Sequence, residues 1–100
     1  MNKSIIAVCQ NEESRNALIS VCKEMNIDVK AEVQSNEEIK YEVKDEEIKN
    51  ATYILFVIDY EVEEIEKIER FIDCEYYEVE PKYVMNDVKA VLNEILSEVN

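Results

Sequence analysis

The chain has 100 residues, of which 47% are hydrophobic and 35% are charged, so it can fold as one small domain with its own core. Acidic residues outnumber basic residues by 24 to 11, and the resulting formal charge of −13 makes nucleic acid and anionic lipid surfaces poor ligands. Glycine and histidine are absent, which excludes glycine-rich nucleotide loops, histidine-based catalytic triads and the common histidine zinc motifs.

A strand, a helix and a second strand are predicted in the first third of the chain. Residues 5–8 form a continuous apolar run, which is typical of a strand buried on both faces of a parallel sheet. Residues 12–25 place apolar side chains on one helical face and two glutamates in the first turn, where the helix dipole favours acids. Residues 27–34 alternate between apolar and polar, which predicts a half-exposed strand at a sheet edge.

The alternation of strands and helices continues to the end of the chain. Asp45 is predicted to be the N-cap of a short helical turn, and residues 53–58 form a second continuous apolar run. Apolar residues at helical spacing then predict a third helix over 62–72. A short stretch at 75–79 ends before the single proline, which favours an edge strand, and residues 84–99 have the clearest helical pattern.

This succession of elements predicts a single α/β domain over residues 1–100. Strand–helix–strand units give parallel strands joined by right-handed crossovers. With two fully buried strands in the centre and two half-exposed ones outside, we expect a small three-layer sandwich. Its four-stranded parallel sheet would have the order 2-1-3-4, with helices on both faces. Ligands bind such sheets beyond the carboxyl ends of the strands, here near residues 9–15 and 59–60.

Cys9 is the candidate catalytic nucleophile at that crevice. The N–H groups of a following helix lower a thiol pKa and can also bind a phosphoryl oxyanion. Arg15 stands six residues later, where a guanidinium can clamp a phosphate, and Gln10, Asn11 and Ser14 complete a candidate phosphate loop. The alternative is that the cysteine is a small buried hydrophobe, and two glutamates in the loop would repel a dianion.

Asp59 is a second candidate phosphate acceptor, of the kind found in receiver domains. It ends the third predicted strand, while Glu12 and Glu13 follow the first. The chain is one strand short of a receiver domain and offers no lysine after a fifth strand. Capping of a helix that starts near Glu61 is therefore the alternative role for this aspartate.

Neither metal nor cofactor binding is indicated by any motif. Cys9, Cys22 and Cys74 are odd in number and far apart, which predicts neither a disulfide framework nor a zinc site, and Cys22 is expected in the core. The first residues do not form a secretory signal, and no apolar run is long enough to span a bilayer, so we expect a cytoplasmic protein without membrane insertion.

Short motifs from the second predicted strand onward resemble those of one protein family. They are Glu32-Val33-Gln34-Ser35, residues 47–52 with the apolar strand ending at Asp59, Arg70-Phe71, and Tyr77-Glu78-Val79 followed by Pro81. In this order they resemble the E-T-Q-G, D-I-x-x-A-D, R-F and V-Y-E-V-P segments of fructose-type IIB domains. These domains belong to the bacterial phosphoenolpyruvate-dependent sugar phosphotransferase system.

The resemblance implies a four-stranded parallel sheet of order 2-1-3-4 and a role in phosphoryl transfer. In that family a cysteine after the first strand accepts a phosphoryl group from a phosphohistidine of a IIA partner. The group then passes to a sugar bound in the membrane IIC component. The family loop reads roughly C-P-T-G-I-A-H-T, whereas the chain has a shorter, acidic and glycine-free segment after Cys9. Such a loop offers few convergent N–H donors for a phosphocysteine.

The sequence therefore predicts a fructose-type IIB-like domain whose phosphoryl transfer is weakened or lost and which acts as a partner-binding or regulatory module. Two alternatives remain open. One is an active phosphocarrier that accepts phosphate on Cys9, and the other is a receiver-like signalling domain that uses Asp59.

Overall fold

One mixed sheet with helices on both faces forms the structure, a computed structural model that describes residues 4–35 and 38–98. The elements in chain order are β1 (Ser4–Cys9), α1 (Glu12–Glu24), β2 (Asp28–Ser35), β3 (Glu38–Lys40), α2 (Asp45–Lys49), β4 (Tyr53–Val57), β5 (Tyr76–Val79), α3 (Pro81–Asn86) and α4 (Val88–Glu98). Two 3-10 turns, Val62–Glu64 and Ile68–Phe71, lie between β4 and β5. Among the described residues, no helix has the length and apolar content needed to cross a membrane.

The sheet has five strands in the order β3-β2-β1-β4-β5. The four strands predicted from the sequence are parallel and lie in the predicted relative order, with β1 and β4 in the centre. The prediction of a four-stranded, all-parallel sheet is wrong, because β3 adds a fifth, antiparallel strand beside β2. This strand has only three residues, too few for an alternating pattern to be recognised in the sequence.

Two apolar layers cover the two faces of the sheet, because successive side chains of a strand point to opposite sides. On one face, side chains such as Ile5 and Leu55 pack with Leu18 of α1 and Leu92 of α4. On the other face, Phe56 and its neighbours pack against α2 and the two 3-10 turns. The predicted three-layer arrangement is confirmed, and the apolar runs of β1 and β4 are buried on both faces, as expected.

The helix predicted over residues 62–72 is absent. Two 3-10 turns replace it, and Lys67, between them, has a left-handed backbone with φ of 56°. The side-chain amide of Gln34 in β2 also binds both the N–H and the carbonyl of Glu66, in place of the hydrogen bonds that a regular helix would form there. The apolar residues in this segment have helical spacing, but tertiary contacts determine the backbone conformation.

Two further helix boundaries differ from the prediction. The helix expected over residues 84–99 is two helices, because Asp87 is extended and its Oδ1 accepts the N–H of Ala90, 3.1 Å away, at the start of α4. The predicted N-cap Asp45 is instead the first residue of α2. The N-cap is Lys44, whose N–H donates to Oε1 of Glu47 at 3.1 Å.

A buried ion pair joins β2 to the second 3-10 turn. Glu32 is 0% exposed, and its two carboxylate oxygens accept from Nη1 and Nη2 of Arg70 at 3.0 and 2.9 Å. The same carboxylate accepts the backbone N–H of Val43 at 3.1 Å and Nε2 of Gln34 at 2.7 Å. The guanidinium also lies over the ring of Phe71, 4.7 Å from its centroid. The buried charge is therefore paired and hydrogen-bonded on both oxygens.

The prediction of a half-exposed edge strand holds for residues 28–30 of β2, but it is wrong for the second half of the strand. There, Glu32 and Gln34 occupy the polar positions of the alternating pattern, yet both are buried. The carboxylate is covered by Val43 and Arg70, and β3 covers the outer edge of the strand at residues 33–35. A period of two assigns residues to faces of a strand, but it does not show whether a face is solvated.

Replacing Arg70 alone should strongly destabilise the protein. We expect Arg70→Met to lower the free energy of unfolding by about 3–5 kcal/mol, because it leaves a buried carboxylate without its counterion. Lys67→Met, which removes an exposed pair with Glu42, is the matched control and should cost far less, because water already solvates both of its charges. Urea unfolding measures both.

The double variant with Glu32→Met and Arg70→Met tests the cause of the loss. It should be more stable than Arg70→Met, because neither charge is then left unpaired in the interior. Equal losses for Arg70→Met and Lys67→Met would contradict this interpretation.

Candidate functional site

The carboxyl ends of β1, β2 and β4 open onto a crevice of about 270 Å³. This is the place at which the sequence predicts a ligand site. β1 lies between β2 and β4, and the connections that follow β1 and β2 cover opposite faces of the sheet, which leaves a crevice between them. The residues that line the crevice are Gln10, Gln34, Ser35, Glu38, Asp59, Tyr60, Glu64 and Glu66.

Two glutamine side chains hold the loops around the crevice. Gln10, after β1, accepts the backbone N–H of Asp59 at 2.7 Å and donates Nε2 to its Oδ2 at 3.2 Å. Gln34, near the end of β2, accepts the N–H of Glu66 at 2.9 Å and donates Nε2 to its carbonyl at 3.1 Å. Each amide therefore satisfies polar groups of a loop that follows β4.

The lining of the crevice is acidic. Glu38, Asp59, Glu64 and Glu66 contribute carboxylates, and none of the lining residues in the described part of the chain is a lysine or an arginine. Burial, followed by the charges of Glu64, Asp59 and Glu66, raises the pKa of Tyr60 in the same crevice. A negative field of this kind disfavours a phosphoryl dianion. Within residues 4–35 and 38–98 no group of three or more acidic or cysteine side chains is arranged to hold a metal ion.

Cys9 does not line the crevice. It is the last residue of β1, is 0% exposed, and packs in the apolar layer under α1 with Ala7, Leu18 and Val57. Burial raises the pKa of its thiol to about 12, Arg15 lowers it by less, and the charge of Glu32 raises it further. The thiol is therefore protonated at neutral pH, whereas a phosphoryl acceptor needs the thiolate.

Asn11 and Arg15 of the candidate phosphate loop have structural partners, whereas the hydroxyl of Ser14 does not. Asn11 is the N-cap of α1, and its Oδ1 accepts the N–H of Ser14 at 2.8 Å. Ser14 is buried, and its hydroxyl has no hydrogen-bond partner among the described residues. Arg15 points to the β2 side, where Nε donates to the carbonyl of Ala31 at 3.0 Å and the guanidinium lies 3.8 Å from the ring centroid of Tyr41. Only Gln10 of the candidate loop lines the crevice.

Asp59 does lie in the crevice and is exposed. The acidic residues after β1 do not join it, because Glu12 pairs with Lys40 at 3.3 Å and Glu13 is exposed on α1. The predicted capping role is wrong. The 3-10 turn after it has Glu61 as N-cap, and the N–H of that residue donates to Oε2 of Glu64 at 3.0 Å.

The other two cysteines, Cys22 and Cys74, differ in burial. Cys22 is fully buried in the layer under α1, as predicted, and burial raises its pKa to about 11. Cys74 is half-buried after the second 3-10 turn, and burial also raises its pKa. All three are free thiols.

No protein-family model matches the chain, and no curated protein matches it. Solved structures do match over nearly the whole chain. An enzyme IIB subunit of the phosphotransferase system from Escherichia coli is 24% identical, with a TM-score of 0.85 over 99% of this chain and 95% of that one. A predicted fructose-specific IIB from Escherichia coli is 19% identical, with a TM-score of 0.85 over 98% and 90%.

A third similar structure is a domain of a fructose-specific IIABC component from Borrelia burgdorferi. It is 21% identical and has a TM-score of 0.80 over 94% of this chain and 93% of that one. The chain has the fold of a fructose-type IIB domain. The resemblance noted in the sequence is therefore confirmed at the level of the fold. At these identities it is confirmed for the fold alone.

Within this IIB fold, sequence analysis missed most of the crevice. It identified Gln10, Asp59 and Tyr60, but not the lining residues that come from the end of β2, from β3 and from residues 64–66. One sequence signal pointed to this part of the crevice. Gln34 belongs to the motif that resembles the family, and it occupies a polar position of the alternating pattern near the end of β2. Its partner, the peptide group of Glu66, lies 32 residues away and has no sequence signature.

The three thiols should differ in reactivity in the folded protein. Near neutral pH, a pKa of about 12 instead of 9.0 lowers the thiolate fraction of Cys9 about a thousandfold, and burial also blocks access of a reagent. We expect iodoacetamide to modify Cys74 first, and to modify Cys9 and Cys22 only after unfolding in urea. Peptide mass mapping over time measures this. Modification of Cys9 at the rate of Cys74 in the native state would show a reactive thiol.

Proposed function

We propose that the protein is a IIB-like module of the sugar phosphotransferase system in which phosphoryl transfer through the cysteine of the first strand is weakened or lost. It acts by binding a partner and regulating it. The observation that carries this proposal is the separation of thiol and crevice: Cys9 packs in the core, while carboxylates line the crevice.

Phosphoryl transfer to a thiol has two requirements that the loop after β1 does not meet. The first is a thiolate, and burial keeps Cys9 protonated. The second is a ring of donors for the phosphoryl oxygens. Asn11 already uses the N–H of Ser14, and Arg15 is engaged with Ala31 and Tyr41. Both observations support a loop that is stabilised as structure rather than kept open for a phosphate.

The proposed partner is a IIA-type phosphocarrier, with a membrane IIC component as a second possible partner. The support is the shared fold: one of the similar structures is itself a domain of a fructose-specific IIABC component. The acidic crevice adds a constraint, because electrostatic complementarity favours a partner with basic residues around its contact surface. A IIB-like surface without transfer chemistry can occupy a IIA protein and so compete with active IIB domains.

Transfer of labelled phosphate tests directly whether phosphoryl transfer through Cys9 is weakened or lost. Phosphate is passed from phosphoenolpyruvate through the general phosphotransferase proteins and a fructose-type IIA protein to this protein, with an active fructose-type IIB as the positive control. We expect label on the control and at most a trace on this protein, because its thiol is protonated and buried.

Two variants identify the acceptor if label does appear. Label that is lost in Cys9→Ala would establish an active phosphocarrier and overturn the proposal. Label that survives in Cys9→Ala but is lost in Asp59→Asn would establish a receiver-like acceptor, and it would overturn the proposal equally.

Partner binding needs its own measurement. We expect unphosphorylated IIA to bind this protein, and the double variant with Glu38→Lys and Glu66→Lys to weaken binding about tenfold, since both carboxylates line the crevice. The matched control carries Glu24→Lys and Glu46→Lys, two exposed sites outside the crevice with the same change in charge. Titration calorimetry gives the affinities. Absence of binding, or an equal effect of both double variants, would contradict a IIA contact at the crevice.

A further inference from the structure

β5 leaves one edge of the sheet without a neighbouring strand. In the described part of the chain it pairs only with β4. The carbonyl of Glu75 accepts the N–H of Ile54 in β4, and the carbonyl of Val79 accepts the N–H of Ile58, directly after β4. Because the two sides of a strand alternate, the backbone groups of the intervening even-numbered residues in β5 point away from the sheet. An edge of this kind can pair with an added strand.

An apolar groove runs beside this edge. It has a volume of about 400 Å³ and lies between β5 and helices α3 and α4. Its apolar lining comes from Tyr77, Val79, Tyr83, Ala90, Val91 and Ile95. Val79 and Val91 are only half-buried, so part of their apolar surface still faces solvent.

Exposed apolar side chains are concentrated in the same part of the molecule. Of the five large hydrophobic side chains that are strongly exposed in the described residues, four belong to β5 or to the segments next to it. Ile72 is 69% exposed and Tyr83 is 53% exposed, and Tyr76 and Met85 are similar. The fifth, Tyr41, lies away from β5, under the guanidinium of Arg15. Tyr83 and Tyr76 also have neighbours, Lys82 and Phe56, but both rings remain about half exposed. Concentrated exposed apolar surface of this kind marks interaction sites.

The charges around the groove select the type of partner. Glu78, Asp87 and Glu94 line it, and no basic residue does so in the part of the chain that is described. Asp87 caps α4, whereas Glu78 and Glu94 are exposed. A second copy of the chain would bring a further formal charge of −13 and the same glutamates, so self-association through this edge is disfavoured. Basic residues on a partner would be attracted to the same carboxylates.

We propose that the β5 edge and its groove bind an extended, basic segment of a partner protein, which adds to the sheet as a further strand beside β5. Alternate side chains of an added strand point to one face, so its apolar residues enter the groove beside Tyr77 and Val79, while its lysines or arginines point to the other face, near Glu78. Glu94, at the groove, adds to the negative field that attracts a basic segment. None of these residues lines the crevice. The inference therefore holds whether or not phosphoryl transfer or IIA binding is found.

A short fluorescent peptide in which lysine alternates with valine is a suitable probe. We expect the protein to bind it, and to bind it much more weakly when glutamate replaces each lysine or serine replaces each valine. Added-strand pairing should also slow hydrogen exchange at the amides of Tyr76 and Glu78, which face away from β4. Fluorescence anisotropy and amide exchange by NMR give the two readouts.

Matched charge variants decide whether the site is the groove. Glu78→Lys with Glu94→Lys should weaken binding about tenfold, because both carboxylates line the groove. Glu13→Lys with Glu46→Lys changes the net charge equally at exposed positions elsewhere and should have an effect of less than about twofold.

Three results would overturn the proposal. The first is an equal loss in both double variants, which indicates non-specific attraction. The second is protection of crevice residues instead of Tyr76 and Glu78. The third is a dimer of the unliganded protein, detected by sedimentation equilibrium and broken by Glu78→Lys with Glu94→Lys, which would make a second copy the occupant.

Discussion

The buried pair between Glu32 and Arg70 is the interaction on which the non-helical half of the structure depends. A carboxylate with 0% exposure must be fully paired, and here Arg70, Gln34 and Val43 supply the donors. Those donors come from β2 itself, from the segment before α2 and from the second 3-10 turn. Satisfying this one charge therefore fixes three segments against one another, and Gln34 extends the constraint to the peptide group of Glu66.

The same network includes most of the residues through which the sequence resembles the family. Glu32, Gln34, Arg70 and Phe71, which carry much of the resemblance, are all engaged in the interior, and none is a reactive group of the crevice in the arrangement seen here. The segment after Cys9 departs from the family, and there the chain uses Gln10 to join two loops. Motif residues of this kind indicate a shared fold without indicating shared chemistry, because fold and function depend on different contacts.

Two acidic surfaces lie at different borders of the sheet. The carboxyl ends of the strands carry a crevice whose loops are held by two glutamine amides, while the β5 edge carries an apolar groove with acidic residues along it. The crevice offers carboxylates, and the groove offers apolar area with unpaired backbone groups. Both surfaces favour basic partners, as expected for a chain with a formal charge of −13, but they would recognise them by different contacts.

The sequence alone determined the parts of the structure that follow local periodicity. Two apolar runs predict β1 and β4, and helical spacing predicts α1 with Cys22 on its buried face. The order of strand and helix patterns predicts the four parallel strands of the sheet. Tertiary structure decided the rest. Residues 62–72 have helical spacing but form two turns, because Gln34 and Glu32 bind groups 32 and 38 residues away. Cys9 became a core residue for the same reason: its burial depends on packing under α1 and between two strands, and no local pattern encodes those distant contacts.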